Sequence, residues 1–352
     1  MKTARNYDEP VGVCTISSDS NGPRQNWLAC PYRTLDQHFT LLATAVRTTY
    51  GIGANVNLIL TPVTALDRPE RQAIVKGAVG TGTNRVFAFS AGKLGGEVDI
   101  PETDSSPGGK VDMTVMEITG LDSSGCPTKF GKHMFYEIQT ADFHGSPLHA
   151  TTLLKNHFPQ AAAGFSSAFE AEFCGTKVEG PNKANIFKRT IYQMILKMQL
   201  ARHPDCAGFF IILPKPVWDS WLRHLGRPTL TQIGDDPLRQ ALSIPPGQIE
   251  QDGQATAWVL VFDIDVESSE SPKPLKILHL IHTSASALRY YAFDAASDFA
   301  LAHDVIQRFR EVMAARVIEG WRHQVPPDAD APDAPRSLTP KAAKPRRRRP
   351  RA

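Results

Sequence analysis

The chain has 352 residues, of which 41% are hydrophobic and 8% aromatic, a composition typical of globular proteins. This composition excludes a fibrous protein, a wholly disordered chain and a miniature disulfide scaffold. The formal net charge is +3, but seven cations lie within the last twelve residues, and removing these seven from 39 leaves 32 basic against 36 acidic residues. The positive sign therefore belongs to the C-terminal tail and does not by itself indicate a nucleic-acid-binding protein.

The sequence shows neither a membrane span nor a secretion signal. No apolar stretch approaches the roughly 18 residues that a membrane span needs, and the first twenty residues carry charges without the apolar core of a signal peptide. The five cysteines are odd in number and include no C-x-x-C pair, which favours free thiols over a disulfide framework. We therefore expect a soluble, cytoplasmic protein with no membrane partner.

Three regions of the chain differ in composition. Residues 1–35 form an N-terminal segment that contains Cys14 and Cys30, and residues 36–325 form the main folded domain. Residues 326–352 combine seven prolines with an arginine run and have too little apolar surface to offset their ordering entropy. We expect this tail to be disordered, and its arginines either attract phosphate non-specifically or are simply solvated.

Hydrophobic periodicity predicts strands interleaved with helices along the chain. Helices are predicted at residues 36–50, 69–75, 147–158, 185–203, 216–225 and 294–319. Strands are predicted at residues 56–60, 85–89, 206–213, 257–266 and 275–282. Asp36 is expected to cap the first helix and Gly51 to end it. This order, together with one hairpin, predicts an α/β (α+β) mixed sheet flanked by helices.

The strongest local pattern is a pair of β-rich runs, at residues 111–119 and 133–139, separated by a glycine-containing loop. A pairing symmetric about that loop places Asp112 opposite Gln139. Side chains alternate along a strand, so Asp112, Glu137 and Gln139 share one face, and diagonal neighbours on adjacent strands lie about 7–8 Å apart. Two carboxylates at that separation are able to bind one hard cation.

Glu137 is the more informative of the two acids, because it lies in a hydrophobic run of the strand. A carboxylate in such a run is costly to bury without a partner, and a metal ion would be one. The hairpin alone leaves an alternative open, in which Asp112 and Glu137 are ordinary acids on the wet face of an edge hairpin.

The amino-acid sequence of the hairpin resembles the PD-(D/E)xK nuclease core. Its first half is GGKVD, ending at Asp112, with valine where the motif's name has proline, and its second half is Glu137-Ile138-Gln139, with glutamine in the usual lysine position. Three flanking segments extend the likeness to the type II restriction endonucleases of the NotI family: GGEVDIP before Asp112, EIQTADFHGSPLHA from Glu137, and GVCTISS with LACPYR near the start. The resemblance runs from about residue 11 to about residue 213.

This resemblance implies a PD-(D/E)xK restriction-endonuclease-like fold and a set of site residues. It assigns Asp112 and Glu137 as Mg²⁺ ligands together with the backbone carbonyl of Ile138, and Glu97 as an upstream acid. Gln139 takes the lysine position, and because an amide cannot be a general base it would orient a water while the metal activates that water. The implied activity is site-specific hydrolysis of phosphodiesters in double-stranded DNA at a GC-rich palindrome.

The same resemblance implies partners and a second metal. Two symmetric active sites cut a palindrome most simply as a homodimer, and a restriction enzyme is functionally paired with a cognate DNA methyltransferase. The family has an N-terminal iron site of four cysteines, of which this sequence has only Cys14 and Cys30 in that region, so a structural iron site is incomplete unless another cysteine joins it. Two other functions stay open: a PD-(D/E)xK nuclease of broad specificity, and a catalytically silent DNA-binding protein of the same fold.

Two further patterns carry less weight. His144, His149 and His157 are separated by five and eight residues, which is not the spacing of metal ligands on a helix. Residues 77–82 (GAVGTG) lack the G-x-G-x-x-G pattern of a dinucleotide-binding loop and predict an ordinary loop.

Overall fold

The fold comes from a computed structural model that describes residues 15–18, 25–28, 30–36, 39–105, 108–141, 183–245, 257–270, 273–298 and 305–324. The chain divides into two units, Met1–Phe299 and Ala300–Ala352. Cys14, the helix predicted at residues 147–158 and the tail at residues 326–352 lie outside the described residues. None of the described helices is long and apolar enough to cross a membrane.

The described strands are β1 (Thr15–Ser18), β2 (Gln25–Leu28), β3 (Asn57–Pro62), β4 (Asn84–Ala91), β5 (Val98–Ile100), β6 (Gly109–Val111), β7 (Met113–Leu121), β8 (Pro127–Ile138), β9 (Cys206–Pro214), β10 (Thr231–Gln232), β11 (Arg239–Leu242), β12 (Ala257–Ile264) and β13 (Leu275–Thr283). The described helices are α1 (Thr40–Tyr50), α2 (Pro69–Ala78), α3 (Lys183–Leu200), α4 (Lys215–His224), α5 (Ala285–Arg289) and, in the second unit, α6 (Val305–Gln324).

Nine of these strands form one mixed sheet in the order β10-β11-β13-β12-β9-β8-β7-β4-β3. The β3–β4, β8–β9, β9–β12 and β11–β13 pairs are parallel, and the remaining neighbours are antiparallel. Strands β1 and β2 pair in one small ribbon, and β5 and β6 in another. The predicted class, a mixed α/β fold with a large mixed sheet flanked by helices, is confirmed.

The central strands are buried on both faces. On β9, Phe209 and Ile211 belong to a core that includes residues of α3 and α4, whereas Phe210 and Ile212 belong to a second core that includes residues of α1. A strand covered on both faces is apolar at every position rather than at alternate ones. This is why β9 and β12 could be predicted from short, uninterrupted apolar runs.

The first helix starts later than predicted. It begins at Thr40, and Phe39 before it adopts a left-handed backbone conformation with φ of 51°. Asp36 still satisfies the helix start, because its Oδ1 accepts a hydrogen bond of 2.8 Å from the Thr40 backbone N–H. The predicted end at Gly51 is confirmed, with φ of 62°, a conformation that glycine adopts without strain.

The hairpin of β7 and β8 has a different register from the predicted one. Met113 pairs with Tyr136, so the predicted pairing of Asp112 with Gln139 is wrong by two residues. The strands extend further into the connection than predicted. Bulges around Ile118 and Gly120 accommodate the residues that have no partner on the opposite strand.

The connection itself is a short turn rather than a long loop. Asp122 Oδ1 accepts hydrogen bonds of 2.9 Å from the backbone N–H groups of Ser124 and Cys126. A register shift of two residues leaves every side chain on its original face. Asp112 and Glu137 therefore remain on one face, and extending the observed register by one residue makes them direct neighbours instead of diagonal ones.

Candidate active site

Asp112 and Glu137 are held together by hydrogen bonds to each other's strands. Asp112 is the single residue between β6 and β7, and its Oδ2 accepts a 2.9 Å hydrogen bond from the Ile138 backbone N–H near the end of β8. In return, the Asp112 backbone N–H donates to Glu137 Oε1 at 3.3 Å. Each carboxylate thus uses one oxygen to fix its own position, and its second oxygen remains for a cation or a donor group.

A third charged group, Lys197, reaches this pair from helix α3 and was not predicted. Its Nζ lies 2.7 Å from Glu137 Oε2, and the residue is only 4% exposed. Lys197 is buried because α3 packs one side on the sheet, and the buried apolar residues of that side are Phe187, Ile191, Met194 and Met198. A lysine placed three residues after Met194 lies on this buried side, which is the sequence signal that could have identified it.

Gln139 is hydrogen-bonded to the same helix. Its Oε1 accepts a 2.8 Å hydrogen bond from Thr190 Oγ1, and its Nε2 donates to the Thr140 carbonyl at 3.0 Å. Its backbone N–H donates to the carbonyl of Ile212 on β9 at 3.1 Å. The amide is therefore oriented from both ends, and Gln139 lies beside the carboxylates as the Glu-x-Gln spacing predicted.

These groups line one cavity of about 410 Å³, which we call the carboxylate cavity. Its polar wall includes Lys110, Asp112, Glu137, Gln139, Thr190 and Lys197. The structure thus brings together three of the four predicted catalytic side chains, and Ile138, whose carbonyl was predicted as a metal ligand, lines the same cavity.

The fourth predicted residue, Glu97, lies on the other side of Asp112. It precedes β5 and is exposed, and it lines a smaller cavity of about 120 Å³ together with Asp112 and Ile138. Glu97 is close enough for its charge to contribute to raising the pKa of Asp112. It therefore acts on the site electrostatically without lining the carboxylate cavity.

Burial makes the two central carboxylates difficult to ionise. The pKa of Glu137 is raised to about 7, chiefly by burial and also by the charge of Asp112, while Lys197 opposes the change. Burial also raises the pKa of Asp112, against the hydrogen bond from Ile138 and the charge of Lys197. One lysine is thus shared by two buried acids, and the three groups sum to one net negative charge when all are ionised.

The donor set suits a hard divalent cation. Among the described residues, no three His, Cys, Asp or Glu side chains converge on a possible metal position. A Mg²⁺ ion here would depend on Asp112, Glu137, the Ile138 carbonyl and water, which fits an ion that keeps several waters and takes one or two carboxylates from the protein. Two incompletely neutralised carboxylates in a cavity are what such an ion would stabilise.

The cysteines that the structure describes form no iron site. Cys30 is partly buried, Cys126 is exposed in the hairpin turn and Cys206 is buried at the start of β9, and all three are free thiols. Cys14 and Cys174 lie outside the described residues, as do the three histidines at 144, 149 and 157.

No protein-family model matches the sequence, and no curated protein matches it.

Proposed function

We propose that this protein is a metal-dependent endonuclease with a PD-(D/E)xK core that hydrolyses phosphodiester bonds of double-stranded DNA. The observation that carries the proposal is the pair of interlocked carboxylates, Asp112 and Glu137, held beside a buried lysine in one cavity. Burying two acids against one cation is unfavourable for a site with a purely structural role. Carboxylates with raised pKa values in a cavity are characteristic of functional sites.

Phosphodiester hydrolysis needs the groups that this site offers. When bound, Mg²⁺ would neutralise the phosphate and lower the pKa of a coordinated water. The water oxygen forms a bond to phosphorus and its proton is released to solvent, while the bond to the leaving sugar oxygen breaks and its electron pair stays on that oxygen, which takes up a proton. Asp112, Glu137 and the Ile138 carbonyl would hold the cation, and the second N–H of the Gln139 amide would orient water.

The likeness to the NotI family extends this proposal to a type II restriction endonuclease. In that form the protein is a homodimer that cuts a GC-rich palindrome and is paired with a cognate DNA methyltransferase. A structural iron at Cys14 and Cys30 belongs to the same family-level proposal. The two-carboxylate site supports the shared hydrolytic chemistry, and the specificity, the dimer and the iron depend on the sequence likeness.

Incubation of the full chain with supercoiled plasmid DNA tests the proposal. We expect nicking and linearisation in MgCl₂, and no cleavage in EDTA or in CaCl₂. Discrete fragments from longer DNA support a restriction enzyme, whereas a smear supports a nuclease of broad specificity. Binding without cleavage at any concentration of Mg²⁺ or Mn²⁺ would instead support a silent DNA-binding protein and overturn the proposal.

A matched pair of variants connects the activity to the site. Asp112→Asn should abolish cleavage, because it removes a carboxylate that would hold the cation. Asp235→Asn makes the same substitution at an exposed position and should cleave like the parent. Equal loss in both variants would trace the effect to the protein preparation and not to the site.

A further inference from the structure

We propose that Lys197 is a further catalytic residue of this site: in the metal-free protein it neutralises Glu137, and when a cation takes that carboxylate its ammonium contacts the scissile phosphate. This inference rests on the proposed nuclease function and adds to it a residue from outside the Asp112 to Gln139 hairpin.

The first support is the carboxylate oxygen that Lys197 occupies. Glu137 Oε1 already accepts the Asp112 backbone N–H, so Oε2 is the oxygen left to face a ligand, and Lys197 Nζ lies 2.7 Å from it. A cation bound by Glu137 must therefore share or replace the contact that the lysine makes. The ammonium and the metal compete for one oxygen, and the lysine is next to whatever the metal binds.

The second support is the distribution of charge around the cavity. Gln139 is neutral, and its amide is already engaged with Thr190 and Thr140. Lys110 also lines the cavity, but its side chain is 66% exposed and its Nζ lies 3.3 Å from Asp99 Oδ1 on the paired strand β5. Of the described residues that line the cavity, Lys197 is therefore the only buried cation.

The third support is the number of hydrogen bonds that the ammonium is able to donate. A lysine carries three N–H donors, and the contact with Glu137 uses one. A non-bridging phosphate oxygen placed at the carboxylates gives the others an acceptor. Lys197 forms no covalent bond: its ammonium neutralises charge that accumulates on the phosphate oxygens as water attacks, and at 4% exposure the side chain is little screened by solvent.

The affinity of the protein for a metal ion tests whether Lys197 competes with a cation for Glu137. Lys197→Met keeps an unbranched side chain that is one heavy atom shorter and removes the ammonium. Calorimetric titration of the DNA-free protein with MnCl₂ at pH 8 should show about tenfold tighter binding by Lys197→Met than by the parent, since a competing unit charge is gone. A lysine that does not compete with the cation for Glu137 predicts no such gain, so unchanged or weaker binding would overturn the proposal.

Cleavage is expected to change in the opposite direction. At saturating Mn²⁺, single-turnover cleavage by Lys197→Met should be slower by about 100-fold or more, and Lys197→Arg should recover most of the loss because it restores a cationic donor. Lys215→Met, which removes a lysine from an exposed pair with Asp219, is the control and should match the parent in both measurements. Thermal melting of each variant identifies any that fails to fold, and Lys197→Arg then carries the comparison.

The outcomes distinguish a failure of this inference from a failure of the nuclease proposal on which it rests. If the parent cuts DNA and Lys197→Met cuts at a rate within threefold of it, the nuclease proposal stands and the role of Lys197 is wrong. If the parent does not cut DNA, the nuclease proposal and the catalytic part of this inference fail together, and the titration still decides whether Lys197 competes with a cation for Glu137.

Discussion

Two glutamates of one hairpin show how differently the same side chain behaves under two arrangements of charge. Glu117 on β7 and Glu137 on β8 are similarly buried, with side chains 16% and 12% exposed. Glu117 is bound at both oxygens by Arg85, with distances of 2.7 and 2.8 Å, and the same guanidinium lies over the rings of Tyr50 and Phe87. Glu137 shares one lysine with Asp112.

The difference is one of partners rather than of burial. A guanidinium offers a planar fork that satisfies a carboxylate completely, whereas an ammonium contacts one oxygen as a point charge. The hydrogen bond with Glu117 raises the pKa of Arg85, so the guanidinium keeps its charge. Glu137 faces another acid, and its own pKa is raised to about 7. The comparison indicates that Glu117 stabilises the sheet, and the weaker pairing of Glu137 fits the ligand-binding role proposed for it.

The largest expected effect is on activity. Glu137→Gln should reduce DNA cleavage by about 1,000-fold or more, because it removes a carboxylate that would hold the metal, whereas Glu117→Gln should keep cleavage within a fewfold of the parent. Single-turnover rates measured for folded protein, checked by circular dichroism, compare the two variants. Equal losses of rate would mean that the two glutamates do not differ in role.

The second prediction concerns pH and applies without metal. Because the pKa of Glu137 rises from its ordinary value of 4.5 to about 7 on folding, the folded protein holds this proton more tightly than the unfolded chain does. Its favourable contribution is fully present below about pH 4.5 and is lost as the pH rises through about 7, with an upper limit of about 3 kcal/mol.

Urea unfolding in EDTA between pH 5 and pH 8 measures this contribution. The free energy of unfolding of the parent should fall over that range relative to the Glu137→Gln variant, which lacks the titrating group. Histidines such as His133, whose pKa is lowered by burial, are present in both proteins, so their effects cancel in the difference. Parallel curves for parent and variant would show that Glu137 does not titrate there.

The third prediction reverses the roles of the two glutamates. Glu117→Gln leaves the Arg85 guanidinium without its charged partner in a half-buried position, and it should lower the free energy of unfolding by about 2 kcal/mol. Urea unfolding at pH 7 gives the value, and Glu267→Gln, at an exposed position, gives the background for the same substitution. A loss no larger than that of Glu267→Gln would remove the structural role assigned to Glu117.

The sequence predicted those parts of the fold whose signal is local. The buried strands β9, β12 and β13 follow from their apolar runs, and Gly51 from the preference of glycine for a left-handed helix end. The short strands β10 and β11 at one end of the sheet were missed because they have two and four residues and no uninterrupted apolar run. The register of the β7–β8 hairpin was predicted wrongly because bulges cannot be recognised from the hydrophobic pattern.

The site residues likewise fall into those that a local pattern predicts and one that it does not. Asp112, Glu137 and Gln139 could be predicted because they belong to one hairpin, where alternation keeps the shared face as long as the register changes by an even number of residues. Lys197 is 60 residues from Glu137 in sequence, and contacts across that distance depend on how α3 packs on the sheet. On this helix Ile195 is only partly buried and Leu200 is exposed, so apolar residue type alone does not show which side of α3 faces the sheet.

The smallest effect is expected at Gln139, the position that separates this site from the commoner lysine-containing motif. Gln139→Lys restores that motif but loses the acceptor for Thr190 Oγ1 and adds a second ammonium near Lys197. Since two cations would then oppose metal binding at the same carboxylates, we expect cleavage to slow by more than about tenfold, or about 1.4 kcal/mol of barrier, and the requirement for Mg²⁺ to rise. Gln139→Glu keeps the acceptor and adds a negative charge, so it should bind metal more tightly and favour Mn²⁺ over Mg²⁺.

Rates and metal titrations for the two variants, with melting temperatures in EDTA close to that of the parent, would show that position 139 adjusts the charge of the site without supporting the fold. Rates within twofold of the parent for both would mean that Gln139 lies outside the reacting groups, and that the hairpin supplies two carboxylates and no third functional residue.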